Sequence, residues 1–113
     1  TVDWSVWYPD ATAQVWPIWS GLLKEDDPRR DMIWERFNEF HPNWPELGFD
    51  STFPWARVAL AAAKMGDWER VDRYIRSVDN RFLQWGRRWP WHNSESGAFM
   101  ETLEAYLDYR LEN

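Results

Sequence analysis

The sequence predicts an all-α chain built from tandem antiparallel helical hairpins. Three observations point there. No segment alternates apolar and polar residues over the length of a strand. Pro, Gly and Asp divide the chain into five helix-length pieces. The chain also matches itself when shifted by about 45 residues.

The first helix is expected from Pro9 and Asp10 to about Leu23, with Pro17 inside it as a kink or a late start. The second opens on Asp27 as N-cap with Pro28 at the first helical position and runs to about Phe40. "HPNWPELGFDSTF" reads as a loop, marked by Pro42, Pro45 and Gly48. The third helix opens at Pro54 and continues through "WARVALAAAKM" to Gly66. Asp67 caps the fourth, where Val71, Ile75, Val78, Phe82 and Trp85 recur at spacings of four and three. The fifth takes "SGAFMETLEAYLDYRLE", with Phe99, Leu103, Tyr106 and Leu107 on one side. Trp16, Trp19 and Trp68 are expected in the core, as is Trp34, which shares a face with Phe37 and Phe40.

At the 45-residue shift, eight identities fall between residues 8 and 45: Pro9 on Pro54, Ala11 on Ala56, Gly21 on Gly66, Asp27 on Asp72, Arg36 on Arg81, Phe37 on Phe82, Trp44 on Trp89 and Pro45 on Pro90. The pattern is that of a repeated hairpin with a third copy begun by the fifth helix. Such repeats bury their apolar faces against neighbours.

The 113 residues fit one domain, 1–113. The net charge of −6 argues against a nucleic-acid partner, since a phosphate backbone rewards clustered Lys and Arg. "DPRRDMIWER" and "WGRRWP" read as solvated basic faces. No run approaches the roughly 18 apolar residues of a membrane span. Without cysteine there is neither disulfide nor thiol chemistry, and the compartment stays open. The chain opens on Thr1 with no signal-type apolar region, so it reads either as a C-terminal piece of a longer protein or as one whose signal has been removed.

If the hairpins stack, the first, third and fifth helices point the same way, and their leading segments "DWSVWYPD", "HPNWPELGFDSTF" and "GRRWPWHNSESG" emerge at one end. Six of the 11 tryptophans (Trp4, Trp7, Trp44, Trp55, Trp89 and Trp91) sit in or beside these segments, while the connectors within hairpins, "LKEDDP" and "MGD", are short and polar. Flat indole faces stack on the apolar side of a pyranose, and carboxylates and amides take its hydroxyls. Trp7, Tyr8, Gln14, Trp44, Trp55, Trp89, Trp91, His92 and Asn93 are therefore the candidate sugar-binding residues, with an oligosaccharide or polysaccharide as partner. The competing reading is that each tryptophan seals the end of a hairpin. Trp89 and Trp91 alternate around Pro90, so both do not easily enter one core.

His41 and His92 lack the spacing of a metal site, and His41 reads as a turn residue. No GxSxG, Gly-rich phosphate loop or Ser/His/Asp order is present, so no cofactor is expected. Asp10, Asp50 and Glu95 are weak catalytic candidates near helix starts, where capping explains each of them equally well.

"YPDATAQVWPI", "FPWARVALAAAKMGDWERV" and "WHNSESGAFMETLEAYL" resemble the closing hairpins of the (α/α) toroids of the six-hairpin glycosidase superfamily. The resemblance covers nearly the whole chain as a pattern and matches no catalytic motif. It implies that the first, third and fifth helices line a sugar-binding cleft, that hydrolysis or elimination is the chemistry, and that the remaining hairpins lie in a missing N-terminal part. The exposed lateral face of a five-helix array implies docking on that part or self-association. "AAAKMGDWERVDRYI" also resembles a tetratricopeptide-type turn, which implies a peptide-binding scaffold, although those repeats are about 34 residues long.

Overall fold

The computed structural model describes residues 8–47, 55–84 and 93–112, with side chains described at 14–46, 55–80 and 96–112. Five helices, α1 (Tyr8–Trp19), α2 (Pro28–Phe40), α3 (Trp55–Met65), α4 (Trp68–Gln84) and α5 (Asn93–Glu112), and a 3-10 turn at Trp44–Leu47 make up the described fold, with no strand among the described residues.

The helix boundaries follow local chemistry. Asp27 caps α2 from an extended backbone, its carboxylate accepting the Arg29 N–H at 2.9 Å, and Pro28 begins the helix. The Arg29 guanidinium on the same carboxylate holds the Asp27 pKa at about 2. Asp67 does two jobs in a two-residue connector. Its N–H closes α3 by donating to the Ala62 carbonyl, and its carboxylate accepts the Arg70 N–H at the start of α4. Gly66 takes φ +72° there and donates to Ala63, which makes this a Schellman end. Gly21, 45 residues earlier, takes φ +81° and donates to Ile18 at the end of α1. Helix α1 therefore stops at Trp19 instead of Leu23, with Pro17 kept inside its last turn. Because the nearest atom to an added Gly66 Cβ would be 4.0 Å away, Gly66→Ala is expected to cost only the left-handed backbone penalty, about 1–2 kcal/mol. A chemical denaturation midpoint reads it out.

Helix α3 is buried nearly all round: Trp55, Ala56, Val58, Ala59, Leu60, Ala61, Ala62 and Ala63 all lie in the core. Its alanines let α1 pack closely on one side and α5 on the other, while α2 and α4 lie behind them. The Lys64 ammonium reaches the Trp19 carbonyl, which places the C-terminal ends of α1 and α3 together. Trp68, at the start of α4, stacks on Tyr109, near the end of α5, so these two run antiparallel. Since α4 also runs back along α3, helices α1, α3 and α5 are mutually parallel and begin at the same end. The extents of 44 × 41 × 23 Å fit two layers of helices, each about 10–12 Å thick.

Some expected core positions lie elsewhere. Trp16 is 45% exposed and Phe40 44%, and Leu107 is half exposed. On α1 the core takes Val15 and Ile18, which turns Trp16 outward, while Trp19 is half-buried under the Arg57 guanidinium at 5.4 Å. On α5 the buried face is Ala98, Phe99 and Thr102, and the Thr102 hydroxyl donates back to the Ala98 carbonyl. Trp34 and Phe37 are buried as expected, and Trp68 is half-buried. On α4, Val71 and Val78 are buried together with Tyr74, while Trp85 and the Phe82 side chain lie outside the described set. Arg30, read as part of a solvated basic face, is 7% exposed and donates to the Lys64 carbonyl at the end of α3.

Candidate functional site

A connected aromatic floor runs from Trp34, beside the α3–α4 connector, to Trp55 at the end where α1, α3 and α5 begin. Trp34 stacks on Phe37 at 5.8 Å, Phe37 meets the His41 imidazole at 4.9 Å, and His41 meets Trp55 edge-on at 6.2 Å. A second branch runs from Trp34 to Trp44, on to Tyr74 and then to Phe99, with centroid distances of 6.0, 6.0 and 6.1 Å. These rings tie α2, the 3-10 turn, α3, α4 and α5 into one unit.

Several polar groups thread the floor and bond within it. The Trp44 indole N–H donates to Asn38 Oδ1, and Asn38 Nδ2 donates to the Trp34 carbonyl, both at 2.8 Å. The Trp34 indole N–H donates to Asp67 at 2.7 Å, and the Arg70 guanidinium closes on the same carboxylate. Glu46 in the 3-10 turn receives both arms of the Arg73 guanidinium at 2.7 and 2.9 Å, while its carbonyl accepts from Ser77. The Arg73 pairing holds the Glu46 carboxyl below its usual range. Glu46 is therefore a brace for the turn and is not free for a ligand.

The candidate residues divide accordingly. Trp44 is 0% exposed and Trp55 1%, so of the two readings open for them these side chains take the hairpin seal and leave the sugar-binding set. A wholly enclosed indole has no face to offer a sugar. Gln14 is half-buried on α1. Asp10 and Glu95 are each the third residue of their helices, α1 and α5, within the first turns that flank the start of α3. Glu95 was expected ahead of its helix, and α5 begins a few residues sooner, at Asn93. The side chains of Tyr8, Asp10, Asn93 and Glu95 lie outside the described set, as do Trp7, Asp50, Trp89, Trp91 and His92 altogether.

His41 proves to be more than a turn residue. Its N–H closes α2 on the Phe37 carbonyl, the residue is 4% exposed, and its Nε2 has no hydrogen-bond partner among the described residues. Burial lowers its pKa from 6.5. The unfolded chain therefore binds a proton that the folded chain resists, so stability falls as pH drops below about 6.5. Urea melts between pH 7.5 and 5 should show this loss, and His41→Gln should flatten it.

Sequence reading missed a groove of about 450 Å³ between α2 and the α3–α4 connector. Asp31, Glu35 and Glu39 line it along α2, with Trp34 and Asn38 beneath and Met65 and Arg70 opposite. The four-residue spacing of those acids was the available signal, obscured by Arg29 and Arg30 before them and Arg36 among them. Among the described residues no group of three or more His, Cys, Asp or Glu is placed to hold a metal, and no helix is long and apolar enough to cross a membrane. No protein-family model matches the chain, and neither a curated protein nor a solved structure matches it.

Proposed function

We propose that this chain is the carbohydrate-binding part of an (α/α)-toroid carbohydrate-active enzyme, of glycoside hydrolase or polysaccharide lyase type. The sugar chain lies at the end where α1, α3 and α5 begin. The observation that carries this reading is the parallel row of α1, α3 and α5 with α2 and α4 behind it, since that layout brings three helix N-termini to one end. Free N–H groups and positive dipole ends there favour oxygen-rich or anionic ligands. The matched left-handed glycines 45 residues apart support a repeated hairpin.

With Trp44 and Trp55 in the floor, the ligand-facing set is Trp7, Tyr8, Gln14, Trp89, Trp91, His92 and Asn93. Asp10, Asp50 and Glu95 stay as the carboxylates to test. Glycoside cleavage requires two carboxyl groups roughly 5–5.5 Å apart for retention or 6.5–9.5 Å for inversion.

Titrating neutral and acidic oligosaccharides should change the tryptophan fluorescence. Trp89→Ala or Trp91→Ala should abolish the change and leave the melting temperature within a few degrees. If both variants unfold the domain, those indoles are core and the reading fails. A peptide-binding scaffold is the second reading, favoured by the acidic groove on α2. In that case Glu35→Lys would release a basic peptide while Trp89→Ala would not.

A further inference from the structure

The outward face of α5, at the edge of the helical row, is apolar along one stripe and acidic along one flank. We propose that it docks an amphipathic helix of a partner protein, one that carries Lys or Arg beside its apolar stripe. This goes beyond the carbohydrate reading and does not depend on it, and it concerns a different face from the α2 groove.

On α5, the side turned away from Ala98 and Thr102 presents Met100, Leu107 and Leu111, which are 55%, 51% and 86% exposed. Spacings of seven and four put them on one stripe about 17 Å long at 1.5 Å per residue. Glu101, Glu104, Asp108 and Glu112, at spacings of three and four, fall together on one flank of it. All four are exposed, and none has an ion pair among the described residues. Arg110 falls on the opposite flank, over the Tyr106 ring at 6.0 Å.

The form of the occupant follows from the packing order. Helix α2 packs on α1 and α3, and α4 packs on α3 and α5. The same step repeated sets another helix against the outward face of α5, and none lies there among the described residues. A helix is also an element whose own stripe of side chains runs along another over this length. The charge of the occupant follows from the flank. Its four acids, in a chain of net charge −6, attract cations and repel an anionic lipid surface, a nucleic acid and a second copy of this chain. Lysine or arginine on the facing edge of the occupant pairs with Glu104 and Asp108, while its apolar side chains cover the stripe.

Titrating the full chain with a fluorescently labelled, alanine-based helical peptide tests this. The peptide's leucines repeat at the same spacings of seven and four, beside a flank of lysines. The expected result is saturable binding that weakens in high salt. The same peptide with glutamate in place of lysine should bind at least about tenfold more weakly. Leu111→Asp, at a side chain already in water, should abolish binding with its thermal melt unchanged. Glu104→Lys should weaken binding about tenfold, whereas Glu35→Lys, the same charge change placed on α2, should leave it unaltered. Failure of the lysine peptide to bind at millimolar concentration overturns the proposal. Equal losses from Glu104→Lys and Glu35→Lys overturn it as well, since the attraction is then one of net charge alone. A chain that dimerises through Leu111 without peptide overturns it in favour of a second copy.

Discussion

Trp44→Ala is expected to cost about 3–5 kcal/mol of folding stability, the range for emptying a fully buried aromatic site. Trp44 is 0% exposed, its ring meets both Trp34 and Tyr74, and its indole N–H holds Asn38. Against a whole-domain stability of about 5–15 kcal/mol, that loss lowers the melting temperature by more than roughly 10 °C. Trp44→Phe separates ring from hydrogen bond. It keeps most of the packing and leaves Asn38 Oδ1 buried without its donor, for about 1–3 kcal/mol. Thermal circular dichroism on the two variants should rank them in that order.

The second large effect is at Asp67, where one carboxylate serves three partners. Removing it strands the buried Trp34 indole N–H, uncaps α4 and frees the Arg70 guanidinium. Asp67→Ala is expected to lose about 2–4 kcal/mol, combining a lost cap with an orphaned buried donor. Asp67→Asn keeps one acceptor oxygen where the Trp34 and Arg70 N–H groups use two, and it loses the charge on Arg70, so it should cost about 1–2 kcal/mol, less than alanine. Denaturant midpoints for the pair distinguish a hydrogen-bonding hub from a mere salt bridge.

Much of the fold was legible because its punctuation is local. Asp27 with Pro28, and Gly66 with Asp67, mark helix ends through bonds to residues only two to five positions away. The extent of α3 was legible too, whereas its role in holding helices on both sides comes from the structure. What sequence periodicity missed were choices made by tertiary contacts. Pro17 and Gly21 end α1 early, which leaves Val15 and Ile18 as its buried pair and puts Trp16 in water. Tyr74, absent from the expected α4 stripe, is fully buried because Trp44 and Phe99 close over it. Thr102, a polar residue, takes a core position by satisfying its hydroxyl within its own helix.

The candidate site was legible in outline only. The common end of α1, α3 and α5 follows from the hairpin order, but which tryptophans seal and which face outward does not. The sequence shows Trp44 and Trp89 as equivalent Trp-Pro pairs. Only the hydrogen bond to Asn38 and the enclosing rings reveal that Trp44 belongs to the floor. Arg30 misled in the same way, because its burial depends on the carbonyl at the far end of α3.

The most direct measurement is an oligosaccharide titration followed through the 11 tryptophan indole N–H signals by nuclear magnetic resonance. A sugar site at the common helix end predicts that the Trp89 and Trp91 signals shift together and saturate, while those of Trp34 and Trp44 stay fixed in their bonds to Asp67 and Asn38. If no indole responds to neutral or acidic oligosaccharides, or if only exposed Trp16 does, the carbohydrate account is contradicted.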